Sequence, residues 1–112
     1  LVDRITLAEE AGIDRSQIIL DPGMGAFVSG EARYSMQILV RLREFDLLDR
    51  PVLIGASRKS FIRDIWGGDL PQDRVEGSLM AATMAILNGA HMIRAHDVRE
   101  TKEVIDFTCV PF

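Results

Sequence analysis

Three strand-like segments alternate with helix-like segments, and this order constrains the fold more than any other feature of the sequence. The strand-like segments are short apolar runs at residues 17–20, 52–54 and 91–96. Strands that are apolar on both faces are typical of a parallel sheet covered by helices. The residues alone leave two architectures open, a small open α/β sheet or a segment of a (β/α)8 barrel. Because a whole barrel needs roughly 250 residues, only about three βα units of one fit here.

Helical periodicity predicts what lies between these strands. Residues 1–8 have helical spacing, and Gly12 suits a left-handed helix end. A short helix is expected over residues 61–66, ended by Gly67 and Gly68. Three further helices are predicted. The first has one face formed by Tyr34, Ile38, Leu42 and Phe45, the second continues through Leu79, Met80, Thr83 and Leu87, and the last has a packed side formed by Val98, Thr101, Ile105 and Thr108.

Local signals predict how the later helices start and stop. Residues 73–76 and 97–100 both have the form of a capping box, with Asp in place of Ser or Thr. Asn88 and Gly89 are expected to close the longest helix. No linker or low-complexity tract divides the chain, so residues 1–112 are expected to form a single domain.

Composition and charge exclude several classes of function. The formal net charge of −4 argues against a nucleic-acid partner, and no apolar run approaches the roughly 18 residues of a membrane helix. The lone Cys109 excludes an internal disulfide framework. We expect a cytoplasmic protein. The chain opens at Leu1 in helix-like sequence, so we also expect it to be a fragment or excised domain of a longer protein.

In both architectures ligands bind at the carboxyl ends of the strands, and polar residues stand at all three ends. Asp21 follows the first strand, where its carboxylate either caps a turn or accepts two parallel hydrogen bonds from an amidine-like ligand edge. Ser57 and Lys59 follow the second strand, either as a helix cap with a solvated cation or as an anion site, and Gly55 allows close approach to the backbone.

The third strand ends in a cation and a histidine on the same face. Arg94 and His96 are two residues apart, so both side chains point the same way from a strand. Burying them unpaired is costly, so either they face a polar pocket or Asp97 or another acid is their partner. His91, at the other end of the strand, is interpreted as a surface residue. Together the three ends predict a ligand with a hydrogen-bonding edge and a negatively charged group.

Three blocks of the chain, residues 19–25, 55–61 and 89–98, resemble the last three strand-loop motifs of the dihydropteroate synthase family. The match covers nearly the whole chain and keeps the order and spacing of the motifs. The resemblance implies the C-terminal portion, about three βα units, of a pterin-binding (β/α)8 barrel.

The resemblance also implies roles for individual residues. Asp21 would bind the amino-pyrimidine edge of the pterin, and Lys59 its ring heteroatoms. Arg94 would stack on the pterin and, with His96, bind the pyrophosphate leaving group; Lys59, Arg94 and His96 are thus the expected catalytic residues. Ser60 and the nearby helix start would receive the carboxylate of p-aminobenzoate, Gly55 would lie against the substrate, and Phe27 would line the p-aminobenzoate site.

The implied reaction joins 6-hydroxymethyl-7,8-dihydropterin pyrophosphate to p-aminobenzoate and releases pyrophosphate, in folate biosynthesis. Magnesium is expected for the full transferase, with its protein ligand outside this segment and no metal ligand within it. The chain alone is expected to be inactive, and a homodimer through the barrel helices is possible. Two alternatives stay open: a pterin-binding methyltransferase domain that uses methyltetrahydrofolate, and a non-catalytic half-barrel module.

Overall fold

The computed structural model describes residues 1–111 and contains alternating helices and very short strands in this range. The helices are α1 (Val2–Glu10), α2 (Ala32–Val40), α3 (Ser60–Ile65), α4 (Val75–Leu87) and α5 (Val98–Thr108), and the strands are β1 (Leu53–Ile54) and β2 (Met92–Ile93). Short 3₁₀ turns cover Arg15–Gln17, Gly25–Phe27, Leu42–Leu48 and Pro71–Arg74. None of these helices is both long and apolar enough to cross a membrane.

The strands are parallel, as the sequence predicted. Leu53 pairs with Met92 and Ile54 with Ile93, so β1 and β2 lie side by side. On the other side of β1, Leu20 forms a single parallel bridge with Val52. Its amide donates to the carbonyl of Pro51 at 2.8 Å, and its carbonyl accepts from the amide of Leu53 at 2.7 Å. The segment containing β1 is therefore central.

The first and third predicted strands were too long. Residues 15–17 form a 3₁₀ turn, because the Asp14 carboxylate accepts hydrogen bonds from the amide (2.8 Å) and the hydroxyl (2.6 Å) of Ser16. Such local bonds give the backbone an alternative to a sheet ladder. Only Leu20 remains strand-like there, and the third strand shortens to Met92–Ile93.

A hydrophobic core lies between the strands and the helices. Leu20, Val52 and Ile54 supply it from the strands, and Met24 and Leu39 are fully buried against them. From α2 and the turn after it the buried residues are Ser35, Leu39 and Leu42, whereas Tyr34 is exposed and Ile38 and Phe45 are half-buried. The prediction was thus right for Leu42, partly right for Ile38 and Phe45, and wrong for Tyr34.

Helix α4 spans the residues predicted to be helical and packs through its small side chains. The helix buries its small residues, Gly77, Ser78, Ala81, Ala82 and Ala85, while Met80 and Leu87 are exposed and Leu79 and Thr83 are half-buried. A helix that is apolar all round has no single apolar stripe, and small side chains let the backbone approach its neighbours closely. On α5 only Thr101 is buried, and Val98 is exposed.

Helix ends agree with the sequence where glycine decides them and disagree where capping boxes were expected. Gly12 (φ +92°) and Gly89 (φ +105°) follow α1 and α4 in the left-handed region, as predicted. Neither α4 nor α5 has a side-chain cap. A 3₁₀ turn leads into α4 instead, and the carboxylate of Asp97, at the start of α5, is bound to Arg58.

Candidate functional site

Asp21, Gly55 and Arg94 directly follow the three parallel segments and lie together at their carboxyl ends. With Lys59 and His96, they form what we call the rim. The guanidinium of Arg94 crosses the central segment: Nη1 lies 3.4 Å from Oδ2 of Asp21, and both side chains keep solvent access, at 61% and 38% exposure. The rim therefore brings together the acid of the first strand end and the cation of the third, as the sequence predicted.

Because Gly55 has no side chain, the guanidinium of Arg94 lies directly against its backbone. A Cβ atom built on Gly55 would be 2.5 Å from Nη2 and 2.9 Å from Cζ of Arg94. Real Cβ atoms do not approach other atoms so closely, so any side chain here would displace the guanidinium. The glycine predicted to allow close approach to the backbone does so, and the group that approaches is Arg94.

Asp21 caps a turn, which is one of its two predicted roles, and its second carboxylate oxygen remains available for a ligand, which is the other. Oδ1 accepts a hydrogen bond from the amide of Gly23 at 2.9 Å, which stabilises the turn after the strand. Oδ2 faces Arg94. The carboxylate is thus held in place by the backbone while its free side remains at the rim.

Lys59 is the half-buried cation of the rim. Its ammonium donates to the carbonyl of Met24 at 3.3 Å and lies 5.3 Å from the centre of the Phe27 ring. Burial, and secondarily the positive charge of Arg94, lower the pKa of Lys59, and Asp21 partly opposes this. Phe27 is 88% exposed, at the end of the 3₁₀ turn after Met24.

Ser57 binds His96, which corrects its prediction as a helix cap. The Ser57 hydroxyl accepts from the amide of His96 at 3.1 Å, and its oxygen lies 2.9 Å from Nδ1 of the imidazole. α3 begins at Ser60 with Lys59 at the cap position and no side-chain cap. Ser60 is exposed at the first turn of this helix, next to Lys59.

The sequence did not predict a second group of contacts, which supports the rim. Arg58 forms two bonds with the carboxylate of Asp97, from Nε at 3.1 Å and from Nη2 at 2.6 Å, and these bonds lower the pKa of Asp97. Arg74 and Ser78, both buried, bind the backbone of Arg58. No local signal reveals these contacts, because the partners are 16 to 39 residues apart.

Two remaining predictions concern charge partners and metals. The acid that faces Arg94 is Asp21, so Asp97 is not its partner. His91 is on the surface as predicted, and its Nδ1 accepts from the amide of Val52 at 3.1 Å. Among residues 1–111 no three His, Cys, Asp or Glu side chains are grouped so that they could hold a metal ion.

Comparison with known proteins gives one consistent result. Residues 1–96 match the model of the family described as pterin binding enzyme. The chain is 41% identical over 104 residues to the dihydropteroate synthase of Escherichia coli, covering 93% of this chain and 36% of that protein. It is 38% identical over 101 residues to a dihydropteroate synthase of Synechocystis, covering 90% of the chain and 34% of the relative.

Solved structures agree. The dihydropteroate synthase of Xanthomonas albilineans with 4-aminobenzoic acid superimposes with a TM-score of 0.88 at 38% identity, covering 98% of this chain and 41% of that one. An enzyme of Coxiella burnetii in complex with pteroic acid gives 0.90 at 36% identity, covering 96% and 39%. These neighbours are (β/α)8 barrels, so the fold is a partial barrel. The chain spans less than half the length of these relatives.

Proposed function

Because this chain belongs to the pterin binding enzyme family, we propose that it carries part of the active site of a dihydropteroate synthase. The reaction would join 6-hydroxymethyl-7,8-dihydropterin pyrophosphate to p-aminobenzoate, giving dihydropteroate and pyrophosphate. One observation carries the proposal: Asp21 and Arg94 from the two outer strand ends are in contact, and Lys59 from the central strand end lies near both charges. His96 follows Arg94 and is held by Ser57 of the central strand end. The acid and the cations match the two parts of this substrate, an amino-pyrimidine edge and a pyrophosphate.

The pterin would bind between Asp21 and Lys59. The turn holds the Asp21 carboxylate through Oδ1, so Oδ2 is already directed for a donor of the pterin edge. Lys59, half-buried and close to the Asp21 side of the rim, would donate to the acceptor atoms of the ring. Its lowered pKa reflects a site in which bulk water is partly excluded, and a hydrogen bond to a ligand is stronger there.

The pyrophosphate would bind to Arg94 and His96. In the absence of ligand, Arg94 makes a long and exposed contact with Asp21, which costs little to break. A pyrophosphate carries more charge than one carboxylate and can accept both bonds of the guanidinium fork. Ser57 fixes the ring of His96, so the imidazole is oriented before ligand arrives.

The p-aminobenzoate would lie on the outer side of the rim. Its carboxylate would bind Ser60 at the start of α3, and its ring would pack against the exposed face of Phe27. Gly55 keeps the backbone clear for the guanidinium of Arg94. The pterin methylene and the aniline nitrogen would meet beside this guanidinium.

The chemistry is a displacement. The aniline nitrogen forms a C–N bond to the pterin methylene carbon while the C–O bond to pyrophosphate breaks, and the nitrogen loses one proton to solvent. Negative charge grows on the departing pyrophosphate, where Arg94 and the His96 oriented by Ser57 would stabilise it. The aniline nitrogen needs no general base.

The proposal also covers the setting of this site. Residues 1–112 would act as one C-terminal segment of the barrel, without measurable turnover alone because part of the pocket lies elsewhere. The magnesium ion of the complete enzyme would take its protein ligand from outside this segment. We place the enzyme in the cytoplasm, where the exposed thiol of Cys109 would stay reduced.

A homodimer through the barrel helices is part of the same proposal. An open groove of about 850 Å³ lies between α4 and α5, with mainly apolar walls. Phe107 at 84% exposure and Leu87 at 57% are the most exposed large apolar residues in it. An apolar surface of this kind on helices outside the sheet is suited to a second copy of the chain.

Two alternatives predict different chemistry. A methyltransferase domain that uses methyltetrahydrofolate would need Asp21 but no pyrophosphate-binding pair, so the joint presence of Arg94 and His96 at the rim favours the synthase. A non-catalytic half-barrel would need none of the rim residues.

The test uses a hybrid barrel, in which residues 1–112 replace the matching segment of the E. coli dihydropteroate synthase. We expect the hybrid to form dihydropteroate from the two substrates, and Asp21→Asn to reduce kcat/KM by about 100-fold, whereas the exposed control Asp3→Asn leaves it unchanged. A folded hybrid that makes no dihydropteroate, or one that is insensitive to Asp21→Asn, would refute the proposal.

A further inference from the structure

Arg58 has an unusual backbone conformation between two residues of the site. Its φ is +58°, in the left-handed region that non-glycine residues seldom adopt. Such conformations persist only where the surroundings enforce them, and they concentrate at functional sites. Ser57, which holds His96, precedes Arg58, and Lys59 follows it.

Both backbone polar groups of Arg58 have a partner that fixes them. Its amide donates to the Ser78 hydroxyl at 2.8 Å, and its carbonyl accepts from Nη1 of Arg74, also at 2.8 Å. Both partners are only 7% exposed. The other nitrogens of Arg74 donate to the carbonyls of Gly68 (2.8 Å) and Asp69 (3.0 Å), so Arg74 is itself immobilised.

The side chain of Arg58 connects the segment after β1 to the segment after β2. Its guanidinium forms a two-bond pair with Asp97, which follows His96 at the end of β2. Ser57 and Arg58 thus bind the adjacent residues His96 and Asp97. The pair is more enclosed than the other ion pairs in residues 1–111, with side-chain exposures of 29% and 15%.

We propose that Arg58, through its pair with Asp97, is a positioning residue that holds Lys59 and His96 at the distance the reaction requires. Its guanidinium is occupied by Asp97 and does not bind substrate. The inference rests on the proposed function, because it concerns the same displacement reaction. It differs from a role in stability alone, since loosening the pair moves two catalytic groups relative to each other.

The test compares variants of the hybrid barrel. Arg58→Gly keeps the left-handed backbone accessible and removes the guanidinium. Asp97→Asn removes the charge of the partner. We expect either change to lower kcat about 30-fold with KM nearly unchanged, because the groups remain but are misplaced. Arg58→Lys should lose less than Arg58→Gly, since it keeps one of the contacts.

The double variant and a matched control distinguish positioning from other effects. If the two residues act only through each other, Arg58→Gly with Asp97→Asn has no larger effect than either single change. Glu103→Gln, which breaks the exposed pair with Arg99 on α5, should leave kcat unchanged. The proposal would be overturned if the losses in kcat of the two single variants multiplied in the double variant. It would also be overturned if the single variants changed KM alone.

A second readout is independent of turnover. In the isolated chain, Arg58→Gly should break the Ser57–His96 contact and shift the NMR signal of His96 Nδ1, whereas Glu103→Gln should not. If the hybrid makes no dihydropteroate and this shift is seen, the proposed function fails while the positioning contact stands. An unchanged His96 signal in a folded Arg58→Gly chain refutes the positioning role.

Discussion

Adding a single methyl group at Gly55 should remove Arg94 from the rim while leaving the fold intact. The new Cβ in Gly55→Ala would lie 2.5 Å from Nη2 of Arg94, whereas non-bonded heavy atoms are normally about 3.5 Å apart. The guanidinium must therefore move by about 1 Å. A misplacement of this size can cost about 100-fold in rate, and we expect that loss in kcat/KM of the hybrid.

The stability of Gly55→Ala should change little. The φ of Gly55 is not in the left-handed region, so alanine fits the backbone, and the displaced group is the end of a side chain that is 61% exposed. Losing an exposed ion pair costs about 0 to 1 kcal/mol, and replacing glycine recovers about 0.4 to 1 kcal/mol. We therefore expect the free energy of unfolding to stay within about 1 kcal/mol of the parent.

Gly77→Ala is the matched control. Its methyl would overlap Cγ2 of Ile62 inside the core, and the other atoms nearest to it belong to Trp66 rather than to a rim residue. Overpacking costs about 1 to 3 kcal/mol and the gain in helix propensity returns about 1, so this variant should lose stability and keep kcat/KM. Urea denaturation and turnover of both hybrids check the contrast. If Gly55→Ala keeps full activity, the position of Arg94 does not depend on the missing side chain of Gly55 and the reasoning is wrong.

Three further predictions concern the groups that support the rim. Arg74→Met leaves three carbonyl oxygens without their donor and should lower the free energy of unfolding by about 3 kcal/mol in urea denaturation; an unchanged midpoint would contradict it. Ser35→Ala leaves the buried amide of Gly25, 2.8 Å from the hydroxyl, without an acceptor and should cost about 1 to 3 kcal/mol by the same measurement. The pKa of Lys59 is lowered chiefly by burial, so a protonated Lys59 lowers the free energy of unfolding. The free energy of unfolding should therefore rise as the pH increases from the folded-state pKa of Lys59 towards its unfolded value of about 10.4. This rise should disappear in Lys59→Met.

The sequence predicted the main features of the fold because its strands and glycines are local signals. The parallel order follows from three apolar runs separated by helical periods, and Gly12 and Gly89 end their helices as expected. Strand length was not predictable in this way. The turn at residues 15–17 depends on the Asp14 side chain, which competes with the ladder.

The orientation of α4 could not be read from its pattern. Both the small residues such as Ala81 and Ala85 and the large ones such as Leu87 form apolar rows along this helix. Which row is buried depends on how closely the helix must approach its neighbours, and that is a property of the assembled structure.

The rim was predictable in its members and not in its contacts. Asp21, Lys59, Arg94 and His96 stand at strand ends, and parallel strands bring such ends to one side. The contacts of Arg58, Asp97 and Arg74 that support the rim could not be predicted. Asp97 stands in the sequence pattern of a helix cap, and arginine is a residue type that usually lies on the surface, as was to be expected of Arg74. Their roles depend on contacts between residues far apart in the chain.

The most direct test of the central claim is a crystal structure of the hybrid barrel with the unreactive ligand 6-hydroxymethylpterin and inorganic pyrophosphate. The account predicts that the pterin edge binds Oδ2 of Asp21, that Arg94 leaves Asp21, and that pyrophosphate bridges Arg94 and His96. A pterin bound away from Asp21, or an Arg94–Asp21 contact kept at 3.4 Å in the complex, would contradict it.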